Sequence, residues 1–332
     1  MNDRGAQGVV HARASVIDGA LPIDGALPVP PPAPVALAVP NVSEGRDLPT
    51  IRALADACLV PGVRVLDVHS DADHNRSVLT LAGGPLALQD ALVALAGECV
   101  DRIDLRRQRG VHPRVGALDV CPVVALDDED VPLASEIATG LAGRIGDELN
   151  LPVFLYGAVA TDPARTLPRD FRRGGPEELE DAIERGDVVP AAGPPRLHPT
   201  AGAVLVGVRP PLIALNVWLP EGTLTEARAI AARVREDGGG PPGVRALGLY
   251  LAEAGMAQVS MNLEDHRRSP PAVAIDAVRR AARSVGTEAG DAELVGLVPR
   301  AALRGPSPSA LRIAGFRPGQ ILELRMPALR RG

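Results

Sequence analysis

The chain has 332 residues, 46% hydrophobic but only 2% aromatic, and a net charge of −6. That length suits one large domain or two modest ones, and the apolar content excludes wholesale disorder and implies a core of Val, Leu, Ile and Ala. Every one of the 35 Lys and Arg positions is arginine, which excludes Schiff-base or P-loop lysine chemistry, and the acidic balance without a basic run argues against nucleic-acid binding.

Residues 1–34 carry the tandem repeat IDGALP-IDGALP at 17–28 and then VPPPAP. Glycine and proline break any period there, so this reads as a flexible extension. Deleting it is expected to leave melting temperature and turnover unchanged; a large loss of either would mean that it packs on the body. No apolar run is long enough to span a bilayer, and the N-terminus lacks signal-peptide order. A cytoplasmic protein is expected, with no membrane partner. Cys58, Cys99 and Cys121 are odd in number and far apart, so they read as reduced core residues; a nucleophilic Cys121 is the weaker alternative.

From about 35 the periodicity predicts a short strand, a helix from 48 to 58 with Asp47 or Ser43 as its cap, and strands at 63–68 and 77–82. A helix at 86–105, a strand at 117–124, a helix at 131–149 and a strand at 153–156 follow. Residues 158–200 read as mostly irregular, with one helix near 176–185. The order then repeats. Strands at 202–208 and 212–218 come first, then a helix at 223–236, strands at 245–252 and 256–263, a helix at 271–285 and a strand at 293–298. The expectation is an α/β (α+β) chain of two ferredoxin-like β-α-β-β-α-β domains, 35–208 and 209–328, with a ligand cleft between them.

Three motifs carry chemistry. Gly238 to Gly243 satisfies G-x-G-x-x-G, but it follows a helix, and Pro241 and Pro242 forbid the helix that a nucleotide fingerprint must open, so it reads as a loop. Asp67, His69, Asp71, Asp73 and His74 crowd one strand end; a metal site and a polar cap both fit the residues. In RGVHPRVGALDVCP, at 109–122, His112 stands between Arg109 and Arg114 in a turn marked by Gly110 and Pro113. A histidine near neutrality moves protons and an arginine grips carboxylates, so this reads as a proton shuttle in an anion-binding cleft; a solvated turn is the plainer alternative.

The same string resembles the formiminotransferase family. So do VPNVSEGRD at 39–47, DVHSDADHNRSVLTLAG at 67–83, LPVFLYG at 151–157, AGAVLVGVRPPLIALNVWL at 201–219, YLAEAGMAQVSMNL at 250–263 and LVGLVP at 294–299, in family order. No stretch resembling the cyclodeaminase domain of some relatives follows. The resemblance implies transfer of a formimidoyl group between an amino nitrogen and N5 of tetrahydrofolate, a co-substrate, with His112 as general acid and base. Asn41, Ser43, Glu44 and Arg46, with Asn75 and Arg76, are then substrate-binding. Asp67, His69 and Asp119 join them, Asp67 or Asp119 orienting His112, while Arg46, Arg76 and Arg114 hold carboxylates. For the cluster from Asp67 to His74, resemblance to a family that needs no metal implies a third reading, a cleft lining with no metal. Gly193, Pro194, Arg196, His198, Thr200 and Gly202 fall where the family contacts folate. The partners implied are an amine or amino acid and folate, with a homodimer left open.

The chain departs from that pattern. The family usually has an acid at His69, a glutamate at Val111 and an aromatic at Ala201, and Arg209-Pro210-Pro211 replaces a basic pairing. These changes motivate two alternatives: a formimidoyltransferase of specialised metabolism acting on a non-glutamate amine, and a folate-binding protein without catalysis.

Overall fold

The structure is a computed structural model that describes residues 35–326, so the expectations for 1–34 fall outside it. It is a mixed α/β (α+β) fold with two sheets. The first is built from β1 (Ala36–Ala38), β2 (Asn41–Val42), β3 (Val63–Asp71), β4 (Arg76–Gly83), β5 (Leu118–Val124), β6 (Val153–Gly157) and β7 (Val204–Arg209). Its order is β3-β4-(β1, β2)-β5-β7-β6, antiparallel except for the parallel β5-β7-β6 edge. The second is β8 (Ile213–Leu219), β9 (Val244–Leu251), β10 (Met256–Leu263) and β11 (Ala292–Val295), antiparallel throughout in the order β11-β8-β10-β9.

Three helices cover one face of the first sheet: α1 (Leu48–Ala57), α2 (Pro85–Arg102) and α3 (Val131–Leu149). Proline opens each within its first turn, where its missing N–H costs nothing, and Asn150 ends α3 in the left-handed conformation. Leu88, Leu92, Leu95 and Cys99 recur at helical spacing on α2 and bury against Leu79, Leu81, Cys121 and Val123. Two short helices, α4 (Pro168–Arg172) and α5 (Gly175–Glu184), pack Phe171, Leu179 and Ile183 on Phe154 and Tyr156 at the β6 edge. On the second sheet, α6 (Leu224–Val234) and α7 (Pro271–Ser284) bury Ile230 and Val278 against Val217 and Val259. Thr223 and Glu226 close a reciprocal capping box on α6.

Side chains alternate across a strand, so the residues between these core positions point the other way. Val78 and Thr80 on β4, Val120 and Pro122 on β5, Ala214 and Asn216 on β8, and Ser260 and Asn262 on β10 all line one cavity of 1210 Å³. The helix-free faces of both sheets therefore share it.

One element was expected elsewhere. The strand near 202–208 reads in sequence as the start of the second repeat, yet β7 is inserted between β5 and β6 of the first sheet. Periodicity identifies a strand but not its partners. The apolar run Val204-Leu205-Val206, buried throughout, is the pattern of a parallel strand covered on both faces. The 158–200 connection holds two helices, where one was expected. Among the described residues no helix is long and apolar enough to cross a membrane.

Candidate active site

The His112 loop lies over the turn between β3 and β4. Arg114 ties the two together, donating to the carbonyls of His74 at 3.0 Å, Asn75 at 3.3 Å and His112 at 3.4 Å. The Val111 amide donates to Asp73 O at 3.2 Å. Gly110 is required by close approach: a Cβ there would overlap the His74 carbonyl oxygen and the Arg114 guanidinium. Thus fixed, His112 is half-buried and lines the cavity. Its Nδ1 lies 2.7 Å from Pro113 O. A carbonyl can only accept, so Nδ1 carries the proton and Nε2 keeps its lone pair.

Beside it sits a buried ion cluster. Asp119 is fully buried; its Oδ2 accepts from Arg76 Nη1 at 2.7 Å and Arg172 Nη2 at 2.5 Å, and its Oδ1 accepts from the Val115 amide at 2.8 Å. Arg76 Nε also donates to Asn41 Oδ1 at 3.1 Å, which fixes the fork from both sides. Burial alone would raise the Asp119 carboxyl, but Arg172 and Arg76 hold it well below the usual carboxylate range. Burial pushes the Arg76 guanidinium down to about 10, against the pull of Asp119. Two cations on one anion leave an excess positive charge. Burial first, then Arg76 and Arg172, push the His112 imidazole well below its ordinary value, with Asp119 opposing. His112 is therefore neutral at pH 7, the form a general base needs.

Of the expected site residues, Asn41, His69, Arg76 and His112 line the cavity together. The others make the following bonds within the chain. Glu44 Oε1 accepts from three successive amides, Gly45, Arg46 and Asp47, and its Oε2 from Gln108. Its carboxylate is spent on the turn ahead of α1, and Asp47, at the N-cap, makes no side-chain bond to the helix amides. Ser43 donates to Gly116 O at 2.7 Å. Asn75, left-handed at φ 46°, bonds Gly45, Gln108 and Arg109. Arg46 reaches Ala72 O and Glu253 at the rim, and Arg114 is committed to carbonyls, so neither is poised for a ligand carboxylate. Asp119 accepts from two arginines, while the His112 Nδ1 has a carbonyl partner. Asp67 lies toward Gly296 and Arg325 and lines no part of the cavity.

The 193–202 segment stands apart as well. None of Gly193, Pro194, Arg196, His198, Thr200 and Gly202 lines the cavity. His198 Nδ1 accepts from the Ala201 amide at 3.1 Å, and Gly202 pairs with Gly116. At Gly193 and Gly202, φ is +80° and +69°, and a Cβ would overlap the Leu151 and Val115 carbonyl oxygens. These glycines serve the chain's own packing. Val111 and Ala201 also miss the cavity, so His69 is the one altered position of the three that touches it. All three cysteines are free and buried; burial pushes the Cys58 thiol up to about 12 and raises Cys121 further, which removes the nucleophile reading.

Sequence reasoning missed Arg172, Tyr156, Asn216 and Glu293. Arg172 reaches the cavity because α4 covers the β6 edge, and its buried Nε has no hydrogen-bond partner among the described residues. Pro168, opening a helix that ends at Arg172, was its only signal. His69 Nε2 lies 3.8 Å from Glu293 Oε1 across the gap between the sheets. His74 donates from Nδ1 to Asp71 Oδ1 at 2.9 Å, and its ring centroid is 6.3 Å from that of His112. Asp73 Oδ1 accepts from the Glu253 amide. The acidic and imidazole cluster of β3 is thus divided among separate tasks, and among the described residues no group of three or more such side chains is arranged to hold a metal.

Two family models match the chain. The formiminotransferase domain, N-terminal subdomain, covers residues 35–209 and the formiminotransferase domain covers 214–307, so their junction falls between β7 and β8. Glutamate formimidoyltransferase of Streptococcus pyogenes serotype M1 is 37% identical over 84% of this chain and 93% of its own length. That of Thermoplasma acidophilum is 38% identical over 87% and 96%. Formimidoyltransferase-cyclodeaminase of Rattus norvegicus is 37% identical over 80% of this chain but 50% of its own length.

Proposed function

The chain belongs to the formiminotransferase family, and from that premise we propose that it is a tetrahydrofolate-dependent enzyme moving a formimidoyl group from an amino nitrogen to N5 of tetrahydrofolate. The observation that carries this reading is a neutral His112, its Nε2 unprotonated, on the wall of a cavity lined by both sheets. Ligand pockets commonly run to ~300–1,000 Å³, so 1210 Å³ accommodates two substrates at once. We read each sheet with its helices as a ferredoxin-like unit, within 35–208 and 209–326, the first extended by β7 and β6, and the space between them as the ligand cleft. Folate is assigned to that cleft, and not to the 193–202 segment. A reducing, cytoplasmic setting suits three free buried thiols.

The chemistry needs one base that becomes one acid. N5 attacks the amidine carbon, forming a C–N bond and a tetrahedral centre. His112 Nε2 takes the proton from N5 and returns it to the departing amine as the old C–N bond breaks. The 5-formimidoyl product and the free amine leave with atoms and charge balanced, and His112 ends neutral. Proton transfer of this kind contributes about 10²–10⁴-fold. Holding both substrates in one cavity supplies the proximity that solution lacks. The excess positive charge of Arg76 and Arg172 over Asp119, with the free Arg172 Nε, attracts substrate carboxylates.

The test is a purified-protein assay with tetrahydrofolate and a panel of formimidoyl amino acids and amines, reading the methenyl product after acid treatment. Transfer from formiminoglutamate is expected, together with measurable transfer from at least one other formimidoyl amine. The second expectation rests on His69, whose imidazole replaces the family's usual acid in the cavity wall; buried polar groups discriminate strongly, so changing one shifts specificity. Exclusive use of the glutamate compound would remove the broadened specificity. Tetrahydrofolate binding without transfer from any donor would leave a folate-binding protein.

A further inference from the structure

Opposite the Arg76–Arg172 cluster, the second sheet carries a polar row. Glu293 on β11, Asn216 on β8 and Ser260 on β10 are register partners across three strands. Asn216 and Ser260 line the cavity, and Asn216 Nδ2 reaches Glu293 Oε2 at 3.4 Å. From the first sheet His69 faces this row. Its side chain is 8% exposed and lines the cavity, and its Nε2, 3.8 Å from Glu293 Oε1, has no hydrogen-bond partner among the described residues. That gap is too long for a hydrogen bond. A carboxylate with room for about four hydrogen bonds receives one long one, beside a buried imidazole nitrogen that receives none. Burial raises the Glu293 carboxyl; His69 draws it down, and Asp71 pushes it up. Such a group gains most from a cation that brings its own donors.

We propose that Glu293, held by Asn216 and faced by His69, binds the cationic amidine end of the formimidoyl donor. This rests on the reading of the cavity as the transferase site. A formamidinium is planar and carries its N–H groups as a guanidinium does. Two parallel N–H donors match a carboxylate fork, and a third is left for the unpartnered His69 Nε2. Carboxylates then go to Arg76 and Arg172, and the amidinium to Glu293, which adjoins the cavity-lining Asn216 and His69. Pairing with a carboxylate also keeps the amidine protonated, the form more open to attack by N5. This grip reads the group transferred and not the amine that carries it.

Calorimetric titration of the full chain with formiminoglutamate and with N-formylglutamate tests this. The two share both carboxylates, and only the first carries the amidinium charge. Wild-type protein is expected to bind the formimino compound at least tenfold more tightly, and Glu293→Gln to bring the ratio near one with tetrahydrofolate affinity within twofold of wild type. Equal binding of the two by wild-type protein overturns the proposal whatever the variant does. So does a preference that survives in a folded Glu293→Gln, or an effect confined to tetrahydrofolate. Transfer by wild-type protein with a ratio of one would sink this proposal and keep the function. A tenfold ratio without transfer would do the reverse.

Discussion

Replacing His112 with Asn should lower kcat by about two to four orders of magnitude while leaving folding and tetrahydrofolate affinity nearly unchanged. An Asn Nδ2 can still donate to the Pro113 carbonyl, so the contact made by the His112 Nδ1–H is conserved. What disappears is the basic Nε2. The loop itself is held by Arg114 and by the Val111 amide, neither of which the substitution touches. The pH profile adds a sharper criterion. Burial, Arg76 and Arg172 all favour neutral imidazole, so its pKa lies well below the ordinary histidine value. Activity is therefore expected to be flat through neutrality and to fall only as the pH drops through that lowered value, where the base becomes protonated. Arg172→Gln removes one of the opposing cations and should move this acid limb to higher pH. In the Asn variant the limb should vanish. Turnover within a few-fold of wild type, or an unchanged acid limb, would remove His112 from its role.

The division between what is legible in the sequence and what is not follows the range of the forces involved. Helices and strands are fixed by spacing within a few residues. Leu88, Leu92, Leu95 and Cys99 on α2 and the alternation along β10 therefore placed those elements correctly. Sheet partners are set by contacts between distant segments, so the place of β7 between β5 and β6 is not visible in its own pattern. The His112 turn stands out locally because Gly110, Pro113 and two arginines crowd it. Its electrostatic setting does not, for Asp119 lies 43 residues from Arg76 and 53 from Arg172. Local pattern also overstated the reach of charged side chains. Arg114 and Glu44 look like ligand-binding groups in a string, yet each has backbone partners that sequence cannot display. Glu293 is a lone acid in the apolar strand β11, and its partners Asn216 and His69 come from distant segments.

Asp119→Asn should be the most destabilising single change at the site. The carboxylate is fully buried and pairs with two guanidiniums at once. An Asn side chain keeps the volume and can still accept from the Val115 amide through Oδ1. The atom facing Arg76 and Arg172 then becomes either an uncharged oxygen or an NH₂ pointed at other donors. Removing one partner of a buried ion pair costs about 3–5 kcal/mol, because the remaining charge is left uncompensated. At about 2–4 °C per kcal/mol for a chain of this size, the melting temperature should fall by roughly 6–20 °C. The direction with pH follows from the depressed carboxyl. Its stabilisation is fully present above the unfolded carboxyl pKa of about 3.9 and is lost only as pH falls through the lower folded value. The gap between wild type and variant should therefore be full at neutral pH and narrow only in strong acid. Asp67→Asn is the control. Burial raises that carboxyl, so its ionised form gains nothing from the fold, and the change should be near neutral. Equal, small shifts for both variants would mean that the arginines are compensated by something other than Asp119, and the excess positive charge invoked to keep His112 neutral would lose its basis.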